Sequence, residues 1–200
     1  MLKTIITLSI FTLSSSSISG DAVAKTLCRG HQLLPEARPA ESCQKLKPAA
    51  YRSPDKKLTA LVFAADQSLN ATPDMESRLE IRSADGHTIA SKDYSSPRGA
   101  NGYYVDQARW TADSQFFVYN LSSSGGHSPW QSPIELYARE KNTFIRFSDL
   151  IDGNPTLTDR FHLVGPHTVV ATTWREQNIE KKRRVKINLR EAVAKLPPGH

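Results

Sequence analysis

Two segments of this chain repeat each other without a gap: "YRSPDKKLTALVF" (Tyr51 to Phe63) and "RWTADSQFFVYNL" (Arg109 to Leu121). Each joins a short strand to a strongly apolar one through a turn carrying an aspartate, Asp55 or Asp113, whose side chain bonds its own backbone. A weaker third copy, "FHLVGPHTVVATT" (Phe161 to Thr173), makes its turn with Gly165-Pro166. A unit this small cannot bury its apolar face alone. The repeat therefore predicts stacked sheets, each covering the face of its neighbour.

A second hairpin follows each copy. "SRLEIRSADGHTIASKDYS" (Ser77 to Ser95) alternates Leu79 and Ile81 before Asp85-Gly86, a strong hairpin signal. "PIELYAREKNTFIRFSDL" (Pro133 to Leu150) matches it, placing Glu135, Thr143 and Phe144 where Glu80, Thr88 and Ile89 lie. "RRVKINLREAV" (Arg183 to Val193) supplies one strand and then turns charged, as a terminal capping unit does. Helical periodicity is confined to Leu189 to Leu196. The fold class is therefore all-β: antiparallel four-stranded meanders in about three blade-like repeats, near 45–95, 103–150 and 159–195.

Strand order decides which loops share an end. Connections from the second strand to the third, and from the fourth to the next unit, emerge together. On this reading the long connections "DQSLNATPDMES" (Asp66 to Ser77), "SSSGGHSPWQSP" (Ser122 to Pro133) and "REQNIEKKR" (Arg175 to Arg183) lie at one end, joined by "SSPRGANGYY" (Ser95 to Tyr104). Long loops on one face of a repeat array build binding surfaces at little cost in stability.

The turn-plus-strand segments "SPDKKLTALVF" and "TADSQFFVYN" resemble the Ser-Pro-Asp-Gly-Lys element of WD40-like and TolB-type β-propellers. The resemblance covers two units well and the third poorly. It implies a partial or open propeller, because three blades do not close a ring that ordinarily needs at least about four. An open stack, or a ring completed by a partner or by a second copy of the chain, fits equally. Lys56 and Ser114 depart from the motif, standing where it commonly carries glycine.

The first 24 residues read as a signal peptide. Lys3 opens it, an apolar run extends from Ile5 to Leu13, and Ala22-Val23-Ala24 suits a signal peptidase, so cleavage is expected after Ala24 and the location is periplasmic or secreted. The apolar run is too short to span a bilayer, and no transmembrane segment is expected. Cys28 and Cys43, the only cysteines, suit one disulfide in an exported protein, worth about 3 kcal/mol for a loop of about fifteen residues.

The formal net charge of +6 points to an anionic partner: an acidic protein face, an acidic glycan or a membrane surface, rather than nucleic acid. The densest basic run, "EKKRRVK" (Glu180 to Lys186), is expected at a solvated hairpin tip. No cofactor is called for. The histidines lack paired metal-ligand spacing, and no metal site is expected.

The serines and His127 of "LSSSGGHSPWQSP" raise the question of a hydrolase. A nucleophile elbow needs G-x-S-x-G leading into a helix, and here the glycines follow the serines with no helix behind them. Catalytic residues are therefore not assigned. Binding suits the composition better. Trp130 projects between Pro129 and Pro133, Gly125 and Gly126 allow close backbone approach, and Ser123, Ser124 and His127 offer adaptable hydrogen bonds, with Arg98 and Tyr103 on the same rim. The alternative is that Trp130 folds back on the blade stack and the serines only solvate the loop.

"YNLSSSGGHSPWQSPIELY" is similar to a strand, Ser/Gly loop and strand of periplasmic immunity proteins that neutralise type VI secretion amidases, over about a tenth of the chain. That resemblance implies a non-enzymatic inhibitor placing the loop into the active site of an exported cell-wall hydrolase. The competing class is a glycan-binding module or hydrolase acting on anionic polysaccharide, with Arg98, Tyr103, Tyr104, His127, Trp130 and Arg175 forming a basic cleft.

Overall fold

The computed structural model describes residues 48–65, 76–97, 101–124, 132–151, 157–175 and 178–197. They form three antiparallel sheets in chain order. The first joins β1 (Ala49–Arg52), β2 (Leu58–Ala64), β3 (Ser77–Ser83) and β4 (Thr88–Asp93) as a simple meander. The second repeats it with β5 (Tyr103–Trp110), β6 (Phe116–Ser123), β7 (Ile134–Ala138) and β8 (Thr143–Arg146). The third has β9 (Leu157–Val164), β10 (Thr168–Arg175) and β11 (Asn178–Asn188), and the chain then turns into helix α1 (Leu189–Ala194) instead of a fourth strand. The all-β, blade-like expectation holds, and among the described residues no sheet closes into a barrel. No described helix is long and apolar enough to cross a membrane.

The middle sheet is buried on both faces, which explains why β6 opens with the unbroken apolar and aromatic run Phe116 to Tyr119 rather than alternating. Phe117, Tyr119 and Leu121 face the first sheet and pack with Leu58, Ala60, Leu79 and Ile81. Phe116 and Val118 face the third, with Phe161, Val169, Ala171 and, from α1, Leu189 and Val193. Trp110 ties the first pair of sheets, donating its indole N–H to the Tyr51 carbonyl at 2.8 Å, with its ring tilted against Phe117 at 5.2 Å between centroids. Asn188 caps α1 by accepting from the Glu191 N–H, and Glu191 accepts from the Asn188 amide in return.

The repeated turns are built alike. Asp55 accepts from Lys57 N and Ser53 Oγ, and Asp113 accepts from Gln115 N and Thr111 Oγ1. Lys56 and Ser114, where the propeller motif has glycine, take positive φ of 62° and 61°. Each turn also docks on the next. Asp55 N donates to Ser114 Oγ and its carboxylate receives Arg139, while Asp113 N donates to the Pro166 carbonyl and its carboxylate lies 3.2 Å from His167.

One expectation fails in the third sheet. "REQNIEKKR" is not a long connection and "EKKRRVK" is not a hairpin tip: both run into β11, which begins at Asn178. The charges masked a period of two. Val185 and Ile187 pack against the core while Lys182, Arg184 and Lys186 are exposed, as suits an edge strand guarded against further pairing.

Candidate loop-bearing end

The β2 to β3, β4 to β5 and β6 to β7 connections leave the sheets at the same end. Their described bases meet at a single buried carboxylate, Glu76, the residue immediately before β3. Glu76 accepts from Ser96 N and Ser96 Oγ at 2.7 Å each, from Gly102 N at 2.5 Å and from Ser124 Oγ at 3.1 Å. Burial alone would raise its pKa. The hydrogen bonds from Ser96, Gly102 and Ser124 outweigh that and hold it below the usual carboxylate value. Gly102 is required by space, since a Cβ there would sit 2.5 Å from the Glu76 carboxyl carbon and closer still to the Tyr94 carbonyl oxygen.

The Ser/Gly loop is pinned on both sides. At its start, Ser124 N donates to the Gly102 carbonyl at 3.0 Å, and the single Ser124 hydroxyl proton serves either that carbonyl or Glu76. At its end, buried Thr158 of β9 donates to the Ser132 carbonyl at 2.6 Å and accepts from Ile134 N at 3.2 Å. Leu121 N closes the base on the Pro133 carbonyl. The loop thus springs from a clamp made by all three sheets.

Behind the rim, a second polar cluster braces the first sheet against the second. Tyr94 donates to Glu135 at 2.5 Å, the single Tyr119 hydroxyl proton serves either the Tyr94 oxygen at 2.6 Å or Glu135 at 3.2 Å, and Lys92 reaches the same carboxylate oxygen at 2.7 Å. Burial, and then the neighbouring Glu135 carboxylate, raises the Tyr94 pKa far above that of an ordinary phenol; burial does the same at Tyr119. Both therefore stay protonated donors. Main-chain bonds carry this brace to the rim, since Tyr94 N donates to the Ser77 carbonyl and Tyr103 N to the Tyr94 carbonyl.

Of the residues singled out from sequence, Ser123, Ser124 and Tyr103 come together. Tyr103 pairs with Ser123 across β5 and β6, and Ser124 lies beside Gly102 one position further on. Tyr103 is half-buried against the core, and Ser124 is committed to the clamp, so their role is to hold the loop's base. Arg98, Gly125, Gly126, His127 and Trp130 lie outside the described residues, as do Cys28, Cys43 and the leader. Sequence reading missed Glu76, Ser96 and Gly102. An acid ahead of a strand and a glycine ahead of two tyrosines are ordinary in isolation; what joins them is tertiary.

The Glu76 carboxylate accepts from donors on two other segments, with no described histidine, cysteine or second carboxylate among its partners. That arrangement positions backbone at the bases of the loops. Among the described residues no three His, Cys, Asp or Glu side chains gather as metal ligands. Compared with known proteins, the chain matches no family model and no curated protein.

Proposed function

We propose that this is an exported, non-enzymatic protein-binding protein whose partner docks on the loop-bearing end, with the Ser122 to Pro133 loop at the centre. The observation that carries the reading is the clamp: Glu76 and Thr158 fix both ends of that loop to three sheets. A loop held at its base loses less conformational entropy when it is buried by a partner. The partner class is an exported cell-wall hydrolase, which the protein inhibits by filling the active-site cleft with the loop. Export follows cleavage near Ala24, in keeping with the leader-like N-terminus.

The test exchanges residues 125–130 for a Gly-Ser linker, leaving Ser124 and Ser132 in place. A partner captured by the unaltered protein, identified and re-bound in pure form, is expected to lose about a hundredfold in affinity, some 3 kcal/mol, with the thermal midpoint unchanged. Undiminished binding by the exchanged protein overturns the reading.

A further inference from the structure

The two gaps between the sheets treat their buried polar groups differently. Between the first and second sheets, Tyr94, Tyr119 and Glu135 bond to one another. Between the second and third, buried oxygens are left without protein partners. Among the described residues, six buried side-chain polar atoms make no hydrogen bond. Two of them, Asp113 Oδ2 and His167 Nδ1, face each other at 3.2 Å, and Trp174 Nε1 alternates to the outer face of β10. The remaining three are all oxygens: Gln107 Oε1 on β5, Asn120 Oδ1 on β6 and Thr173 Oγ1 on β10.

Strand register brings these three to one place. Asn120 lies on the face of β6 that turns Phe116 and Val118 toward the third sheet. Gln107 is its cross-strand partner on β5, and the Gln107 amide nitrogen donates to the Phe161 carbonyl of β9 at 3.2 Å, so its tip reaches the third sheet. On its other flank Asn120 pairs with Ile134 of β7, whose N–H donates to Thr158 Oγ1 of β9 at 3.2 Å. Thr158 in turn pairs with Thr173 of β10, which faces the second sheet in line with Val169 and Ala171. The circuit of pairs closes around a space with β5, β6 and β7 on one side and β9 and β10 on the other.

That space is interior. Asn120 is 1% exposed and Thr173 is fully buried. A buried oxygen with nothing to bond destabilises a fold, and three gathered together call for a shared partner. Their chemistry defines it. The two carboxamide oxygens only accept, whereas the Thr173 hydroxyl can donate. One water molecule answers all three, giving a proton to each carboxamide oxygen and taking the hydroxyl proton, which is the bonding typical of a buried water. Gln107 also lines a cavity of about 430 Å³ with Asp106, Phe161 and Leu163, and this supplies a path for solvent at the edge between β5 and β9.

We propose that the gap between the second and third sheets holds one internal water molecule, bonded to Gln107 Oε1, Asn120 Oδ1 and Thr173 Oγ1, which joins the two sheets behind the Thr158 clamp. The site is independent of what docks on the loops.

A crystal structure of the full-length purified protein, at about 1.5 Å or better, tests this. It is expected to show one density peak within about 3.2 Å of all three oxygens. Absence of a peak, or a flipped Asn120 amide donating directly to Gln107 Oε1, overturns the proposal. Contacts of about 2.3 to 2.6 Å mark a cation instead and overturn it too. Urea unfolding of Thr173→Val gives a second reading with opposite signs. Loss of a bond to water lowers the folding equilibrium constant about fivefold, whereas removal of a hydroxyl that bonds nothing raises it or leaves it unchanged, which contradicts the proposal. If the variant does not fold, the density of the unaltered protein decides.

Discussion

Glu76 illustrates how a carboxylate can be buried by being shared. Its donors come from the β4 to β5 link and from the start of the Ser/Gly loop, and none carries a charge. Such a group stabilises the fold only while ionised. Its folded pKa is depressed, so its contribution is complete above the unfolded value of about 4.3 and is lost as pH falls through the lower folded value. Glu76→Gln keeps the shape but places an amide N–H₂ against donors, and is expected to cost about 2 kcal/mol at pH 7. Thermal melts between pH 7 and pH 3 check this: the variant starts lower and falls less steeply below pH 4.5. Parallel curves would falsify this role for Glu76.

At the scale of elements, what the sequence made legible is what is local. The Ser53/Asp55 and Thr111/Asp113 turns show in the text because each closes on its own next few residues. Lys56 shows the same logic in energy. Its φ of 62° is a region where a side chain costs about 1 kcal/mol, and Lys56→Gly is expected to raise stability by about 0.5 to 1 kcal/mol in urea unfolding. Ser114→Gly, at the same φ, is expected to gain nothing, because it removes the hydroxyl that receives Asp55 N. β11 was misread for the opposite reason. Its strand character rests on pairing with β10 and on Val185 and Ile187 reaching the core, neither visible in a run of charges. The Glu76 clamp escaped notice likewise, since its members are separated by 20 to 48 positions.

For the whole molecule, the stack gives each of its surfaces a different character. The middle sheet is sealed on both sides, the repeated aspartate turns lock one end, and the loop bases gathered at Glu76 and Thr158 form the other. The first sheet's outer face carries paired charges, Arg78 and Arg82 with Glu80. A partner seated on the loop end should bury backbone there and leave the turn end untouched. Amide hydrogen exchange read by mass spectrometry, on the protein alone and bound to its purified partner, tests this most directly. The account predicts new protection across residues 95–104 and 122–133, with no change at the turns 53–58 and 111–116. Protection confined to those turns, or to β9 through β11, would contradict it.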